Sequence, residues 1–124
     1  MKLFSFKDKK KRSDFVFVVC DVFALIHGGV VIAGQVTEGT LCQGEQAVCI
    51  PGAGKPFLCV IEAIEQPDPG RPGQFVHPKE AKADGPCGGN YALKISDRSK
   101  SEFCAGDRLV SVRSGLLEET ETGK

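Results

Sequence analysis

Residues Asp21 to Gly44, DVFALIHGGVVIAGQVTEGTLCQG, decide the fold. The apolar run breaks at His27-Gly28-Gly29, resumes to Val36 and turns at Glu38-Gly39, which reads as two strands joined by a turn. Side chains alternate faces along a strand, so Val30, Ile32, Gly34 and Val36 share one side, with Val31, Ala33, Gln35 and Thr37 on the other. The first face is apolar and the second mixed. Gly39 and Gly44 stand where turns need positive φ, and Gly34 inside the strand implies a bend or a close backbone approach. A strand bent in this way suits a small closed sheet.

Five further segments extend the pattern. Phe15 to Phe23 is apolar on both sides, with Phe15, Phe17 and Val19 facing one way and Val16, Val18, Cys20 and Val22 the other. A strand of that kind is buried twice, against the interior and against a second element such as Phe4 or Phe6 of the preceding segment. Gly44 to Ile50 ends in the turn composition PGAGKP, residues 51–56. Phe57 to Glu65 follows; a buried unpaired Glu62 would be costly, which places Ile61 inward. Asn90 to Ser96 presents Tyr91, Leu93 and Ile95 on one side, Phe103 anchors the next connection, and Asp107 to Arg113 closes the set. Six strands predict an all-β fold, a small closed antiparallel six-stranded barrel, since closure removes the free edges of an open sheet.

At 124 residues the chain fits one domain. Residues 1–14, MKLFSFKDKKKRSD, form a basic N-terminal arm; 15–113 form the barrel; 114–124, SGLLEETETGK, form an acidic, frayed tail. Within the barrel, residues 66–88 are a proline- and glycine-dense loop, long enough to be either a binding loop with Phe75 and His77 at its tip or a tolerated insertion. Lys+Arg 16 balance Asp+Glu 16, so no general field draws phosphates to the molecule. The six cysteines contain no Cys-x-x-Cys pair, and Cys20, Cys49 and Cys59 fall within strands. That spacing points to reduced thiols acting as small hydrophobes in a cytoplasmic protein. Lys9 to Arg12 followed by FVFVVCDVFALI imitates a signal peptide, but Asp21 interrupts the run and no Ala-x-Ala site follows.

Chemistry is sparse. Gly54-Lys55 invites a phosphate-loop reading, yet Cys49 stands where the first glycine belongs and Pro56 where the magnesium-binding hydroxyl belongs. His77 and Cys87 lack the paired spacing of zinc ligands. His27 and His77 are the only imidazoles, and no motif ties a nucleophile to either. His27 is read as a turn histidine bonded to backbone. Neither catalysis nor a cofactor or metal is expected.

The residues around the organising stretch resemble the second domain of translational GTPases of the elongation factor Tu type. The resemblance rests on Asp21-Val22-Phe23, on His27 to Val36, on Glu38-Gly39 and on Gly44-Glu45. A second block, Gly89-Asn90-Tyr91-Ala92-Leu93 followed by Gly106-Asp107-Arg108-Leu109, matches in order and spacing, so that residues 15–113 are covered. The resemblance implies the translation-protein barrel without its GTPase half, since no Walker A or Asn-Lys-x-Asp motif is present. It implies binding rather than catalysis. In that family an arginine of the Gly-Arg-Gly turn and a glutamate near the end of the fourth strand help to hold the aminoacyl end of transfer RNA. The arginine falls on Gly28 and is lost; the glutamate falls on Glu65 and is kept. The expected binding surface is therefore His27, Gly28, Gly29, Glu65, Arg71, Phe75 and His77. A protein partner is favoured by the neutral charge, and the alternative is an RNA- or ribosome-binding module using the basic arm and the long loop.

Overall fold

The computed structural model describes residues 14–68 and 70–112, so the basic arm and the acidic tail lie outside the described residues apart from Asp14. The described part is all-β. Its strands are β1 (Val16–Ala24), β2 (Val30–Glu38), β3 (Thr40–Cys42), β4 (Gln46–Ile50), β5 (Phe57–Val60), β6 (Ala63–Pro67), β7 (Phe75–Val76), β8 (Glu80–Lys82), β9 (Asn90–Ile95) and β10 (Arg108–Ser111). Short 3-10 turns occupy Pro86–Gly89 and Lys100–Glu102. Eight strands form one antiparallel sheet in the order β5-β4-β10-β1-β2-β9-β6-β7, and β3 pairs with β8 in a separate ribbon.

The alternation read from the sequence holds through the centre of this sheet. Val30, Ile32 and Val36 of β2 are buried, as are Tyr91, Leu93 and Ile95 of β9 across from them. Phe15, Phe17 and Val19 complete the core with Ile61, Ile64, Leu109 and Phe103. Leu41 and Ala81, opposite each other in the ribbon, are fully buried at the same core. Gly34 shows why this position carries no side chain. A Cβ there would lie 2.0 Å from the Val18 carbonyl oxygen and 2.9 Å from the Phe17 ring.

The expected closed six-stranded barrel is corrected in one respect: β5 and β7 end the sheet and do not pair with each other. The stretch from Phe57 to Pro67, read as one strand, is two. Its first half pairs with β4 and its second half with β9, four places further along the sheet. Between them, Ile61 exchanges bonds with Gly44 and Glu45 (2.7 and 2.9 Å), and the Glu62 amide donates to the Lys94 carbonyl at 2.8 Å. One piece of chain thus serves both ends of a curled sheet. The crossing shifts the side-chain phase, because Cys59 and Ile61 point inward and then Ile64, three residues on, does so too. A strand without a break would have sent Ala63 inward.

Among the described residues, the outer edge of β5 is covered by side chains instead of a strand. Asp97 accepts from the Val60 amide (3.3 Å), and Arg98 Nε donates to the Leu58 carbonyl (2.9 Å). The Arg98 guanidinium lies 4.7 Å from the Phe57 ring centroid and donates to Glu102 Oε2 at 3.0 Å. Phe57 in turn meets the buried Phe103 edge-on at 5.4 Å. The Ser99 amide donates to Glu102 (2.8 Å), and that bond, with Arg98, holds the Glu102 carboxyl below its ordinary value. Edge protection of this kind suppresses pairing with other chains.

The 66–88 segment is also more ordered than a plain loop, since it contains β7 and β8. Of the strand cysteines, Cys49 and Cys59 are fully buried, whereas Cys20 is exposed, contrary to its reading as a packed thiol. β1 and β2 slip register there: Val19 faces Gly34 and Asp21 faces Ala33, leaving Cys20 as the extra residue of a bulge.

Three outcomes follow from this packing. Gly34→Ala places a methyl against backbone that cannot yield cheaply, so urea unfolding should show a loss of about 2–3 kcal/mol. Burial pushes the thiols of Cys49 and Cys59 up to about 12, so native-state alkylation at mildly alkaline pH should label Cys20 and Cys104 and spare these two. Raised values mean that the stabilisation is complete below the unfolded thiol value of 9.0. Stability should then fall as pH climbs from there towards 12, readable by denaturant melts across that range.

Candidate binding site

The structure separates the residues expected to form one surface into two groups. His27, Gly28 and Gly29 make the β1–β2 turn, closed by Gly28 and Leu25 amides donating to the Leu25 and Gly29 carbonyls (3.2 and 3.1 Å). Gly28 and Gly29 have φ of 100° and 87°, so the glycines are required by the turn. The His27 side chain is exposed, and among the described residues the turn is closed by backbone bonds instead of the expected bond from the His27 ring. Ile26 beside it is 93% exposed. This turn borders an open depression with Lys94 and Ser96 and contains neither Glu65 nor Phe75.

Glu65, Phe75 and His77 do come together. The β6–β7 hairpin is built on Asp68, whose side chain accepts from the Gly70 amide (2.9 Å) and from Arg71 Nε (3.0 Å). Its amide donates to the Gln74 carbonyl at 2.9 Å, which sets Phe75 opposite Pro67. His77 then lies with Nε2 3.3 Å from Glu65 Oε2. Arg71 is engaged with Asp68 and does not line the site.

The site is a hollow of about 300 Å³, lined by Cys20, Ala33, Gly34, Glu65, Pro67, Phe75, Asn90, Tyr91 and Ala92. Register explains its shape. Asp21, Ala33, Ala92 and Glu65 face one another in a single cross-strand row over β1, β2, β9 and β6. Two alanines in the middle of that row leave a trough, and the half-exposed Phe75 forms one wall. Sequence reading found Glu65, Phe75 and His77 but missed Cys20, Ala33, Pro67, Asn90 and Ala92. The signal of Ala33 and Ala92 is smallness at facing positions, and facing positions cannot be known before strands that lie far apart in sequence are paired.

Chemically, the hollow offers methyl groups, an aromatic ring, a thiol and a carboxylate bonded to an imidazole. The Cys20 thiol has the Val18 carbonyl as its hydrogen-bond partner, at 3.9 Å. Among the described residues, no three of histidine, cysteine, aspartate and glutamate converge as a metal site would need. No helix among them is long and apolar enough to cross a membrane.

No family model matches the chain, and no curated protein sequence does. Among solved structures it is similar to translation elongation factor SelB from Methanococcus maripaludis in its apo form, with a TM-score of 0.61 and 19% identity. The match covers 80% of this chain and 19% of that one, so the chain spans about a fifth of the elongation factor's length. The likeness is one of fold: the protein has the β-domain architecture found in a translation factor.

Proposed function

We propose that the chain is a non-catalytic binding module of the translation-domain type that docks on a protein partner through the outer hollow, in a reducing, cytoplasmic setting. The observation that carries the reading is the hollow itself. Its floor is apolar, it sits on the outer sheet face, and Phe75 beside it is 56% exposed. Exposed aromatic side chains next to small-residue concavities are typical anchors of protein interfaces. The translation-factor fold supports a role near the translation machinery, because the domains that share it work by contact surfaces. The Glu65 position supports the same face, since the resemblance places a binding glutamate there. Loss of the turn arginine at Gly28 weighs against a transfer-RNA end as the ligand.

The competing reading, an RNA- or ribosome-binding module, draws on the basic composition of residues 1–14. A photo-crosslinker placed at position 75 of the full chain distinguishes the two in native extract. A protein adduct that persists as salt rises, and that is lost in the Ala92→Glu variant, is the expected result. RNA adducts that vanish steeply with salt would replace the protein reading with the RNA one.

A further inference from the structure

We propose that the hollow receives a cationic side chain, lysine or arginine, from an extended basic segment of the partner protein. The inference rests on the docking reading above and adds the chemistry of what docks.

The lining is matched to such a group. Ala33, Gly34 and Ala92 make an apolar floor, Phe75 and Pro67 make a wall, and Glu65 supplies the one charge, with no lysine or arginine among the lining residues. An alkyl stem along methyl groups ending beside a carboxylate and an aromatic ring is the arrangement that lysine and arginine fill. The row continues beyond the hollow. Asp21, opposite Ala33, is exposed, and its carboxylate accepts from the Val22 amide. Lys94 lies 3.9 Å from Glu62 and Arg71 3.0 Å from Asp68, while His77 Nε2 lies 3.3 Å from Glu65 Oε2, so an incoming cation shares that carboxylate with the imidazole.

Asp21 and Glu65 are separated by three strand spacings, about 14 Å. An extended peptide covers that distance in about four residues. A segment crossing the strands with basic residues four apart therefore meets a carboxylate at each end and the alanine trough between them. The charge complementarity is local to Asp21 and Glu65, since over the whole chain 16 Lys+Arg balance 16 Asp+Glu. A polyanion is opposed by the same carboxylates.

The test uses the full chain, labelled with nitrogen-15, and a blocked peptide Ala-Arg-Phe-Ala-Ala-Arg-Ala, with a twin carrying glutamate for both arginines. Amide shifts should gather at Asp21, Ala33, Phe75 and Ala92 with the basic peptide only. Glu65→Gln and Asp21→Asn preserve shape and should each weaken binding about threefold to fivefold. Equal binding of the acidic twin, unchanged affinity in both variants, or shifts centred on the Ile26 turn would overturn the proposal. So would displacement of the basic peptide by a short single-stranded RNA that shifts the same four amides. If the peptide fails while position 75 still crosslinks to protein, the cationic assignment falls and the docking reading stands; if both fail, the docking reading falls with it.

Discussion

The contact on which the structure depends is the one between β1 and β2 at Gly34, where the Val18 carbonyl and the Phe17 ring occupy the space a side chain would take. Because nothing projects from position 34, β1 approaches closely, and the chain absorbs the mismatch one residue later as a bulge at Cys20. A bulge bends its strand and increases twist. The bend lets Phe17 and Val19 reach the same core as Ile32 and Leu93. Cys20, outward by alternation with the buried Val19, borders the hollow, and past the bulge Asp21 faces out while Val22 packs on the core.

A sheet so strongly curled brings its ends together, and the chain solves the meeting with a single stretch. Residues 57–60 hydrogen-bond to β4 and residues 63–67 to β9, with Ile61 and Glu62 crossing between the two ladders. The crossing leaves the outer side of β5 without a strand, and the connection after β9 covers it through Asp97 and Arg98. The ribbon of β3 and β8 covers the core with Leu41 and Ala81. It is tied to the main sheet by the Tyr91 hydroxyl, which accepts from the Lys82 amide at 3.2 Å. A buried carboxylate performs a similar task between turns: Asp107 accepts from the Gly52 and Cys104 amides (3.1 and 2.8 Å).

What the sequence could show follows the range of the interactions involved. The inward faces of Val30 to Val36 and of Tyr91 to Ile95 were legible because alternation is local, and Gly34 announced a close approach because glycine within a strand has few other uses. Ile61 inward and Glu62 outward followed from the cost of burying a charge. The slip between Ile61 and Ile64 was not legible, since it arises where one segment changes partners. The same holds for the phase change past Cys20, where the slip against β2 sends Asp21 outward and Val22 to the core, the reverse of the alternation read along Phe15 to Phe23. The 66–88 segment looked like an open loop because β7 and β8 have only two and three residues, too few for a periodic signal. Half of the site was visible as chemistry, in Glu65, Phe75 and His77. The other half is defined by alanines whose importance lies in their opposite numbers.

Those alanines give the outer face its shape. A solvent-facing sheet surface ordinarily carries β-branched or long polar side chains, which protect the backbone and leave no concavity. Here Ala33 and Ala92 face each other between Asp21 and Glu65. The backbone strands supply rigidity, so the trough exists before any ligand arrives and ordering it costs little on association. The Asp68 turn fixes Phe75 by bonds confined to its own hairpin, leaving the ring exposed. A rigid floor, one aromatic wall and carboxylates at a spacing set by the sheet make a surface whose selectivity resides in length and charge. Under the proposed docking, partners would be distinguished by where their cations fall along an extended chain, a property that strand spacing imposes and side-chain flexibility cannot easily relax.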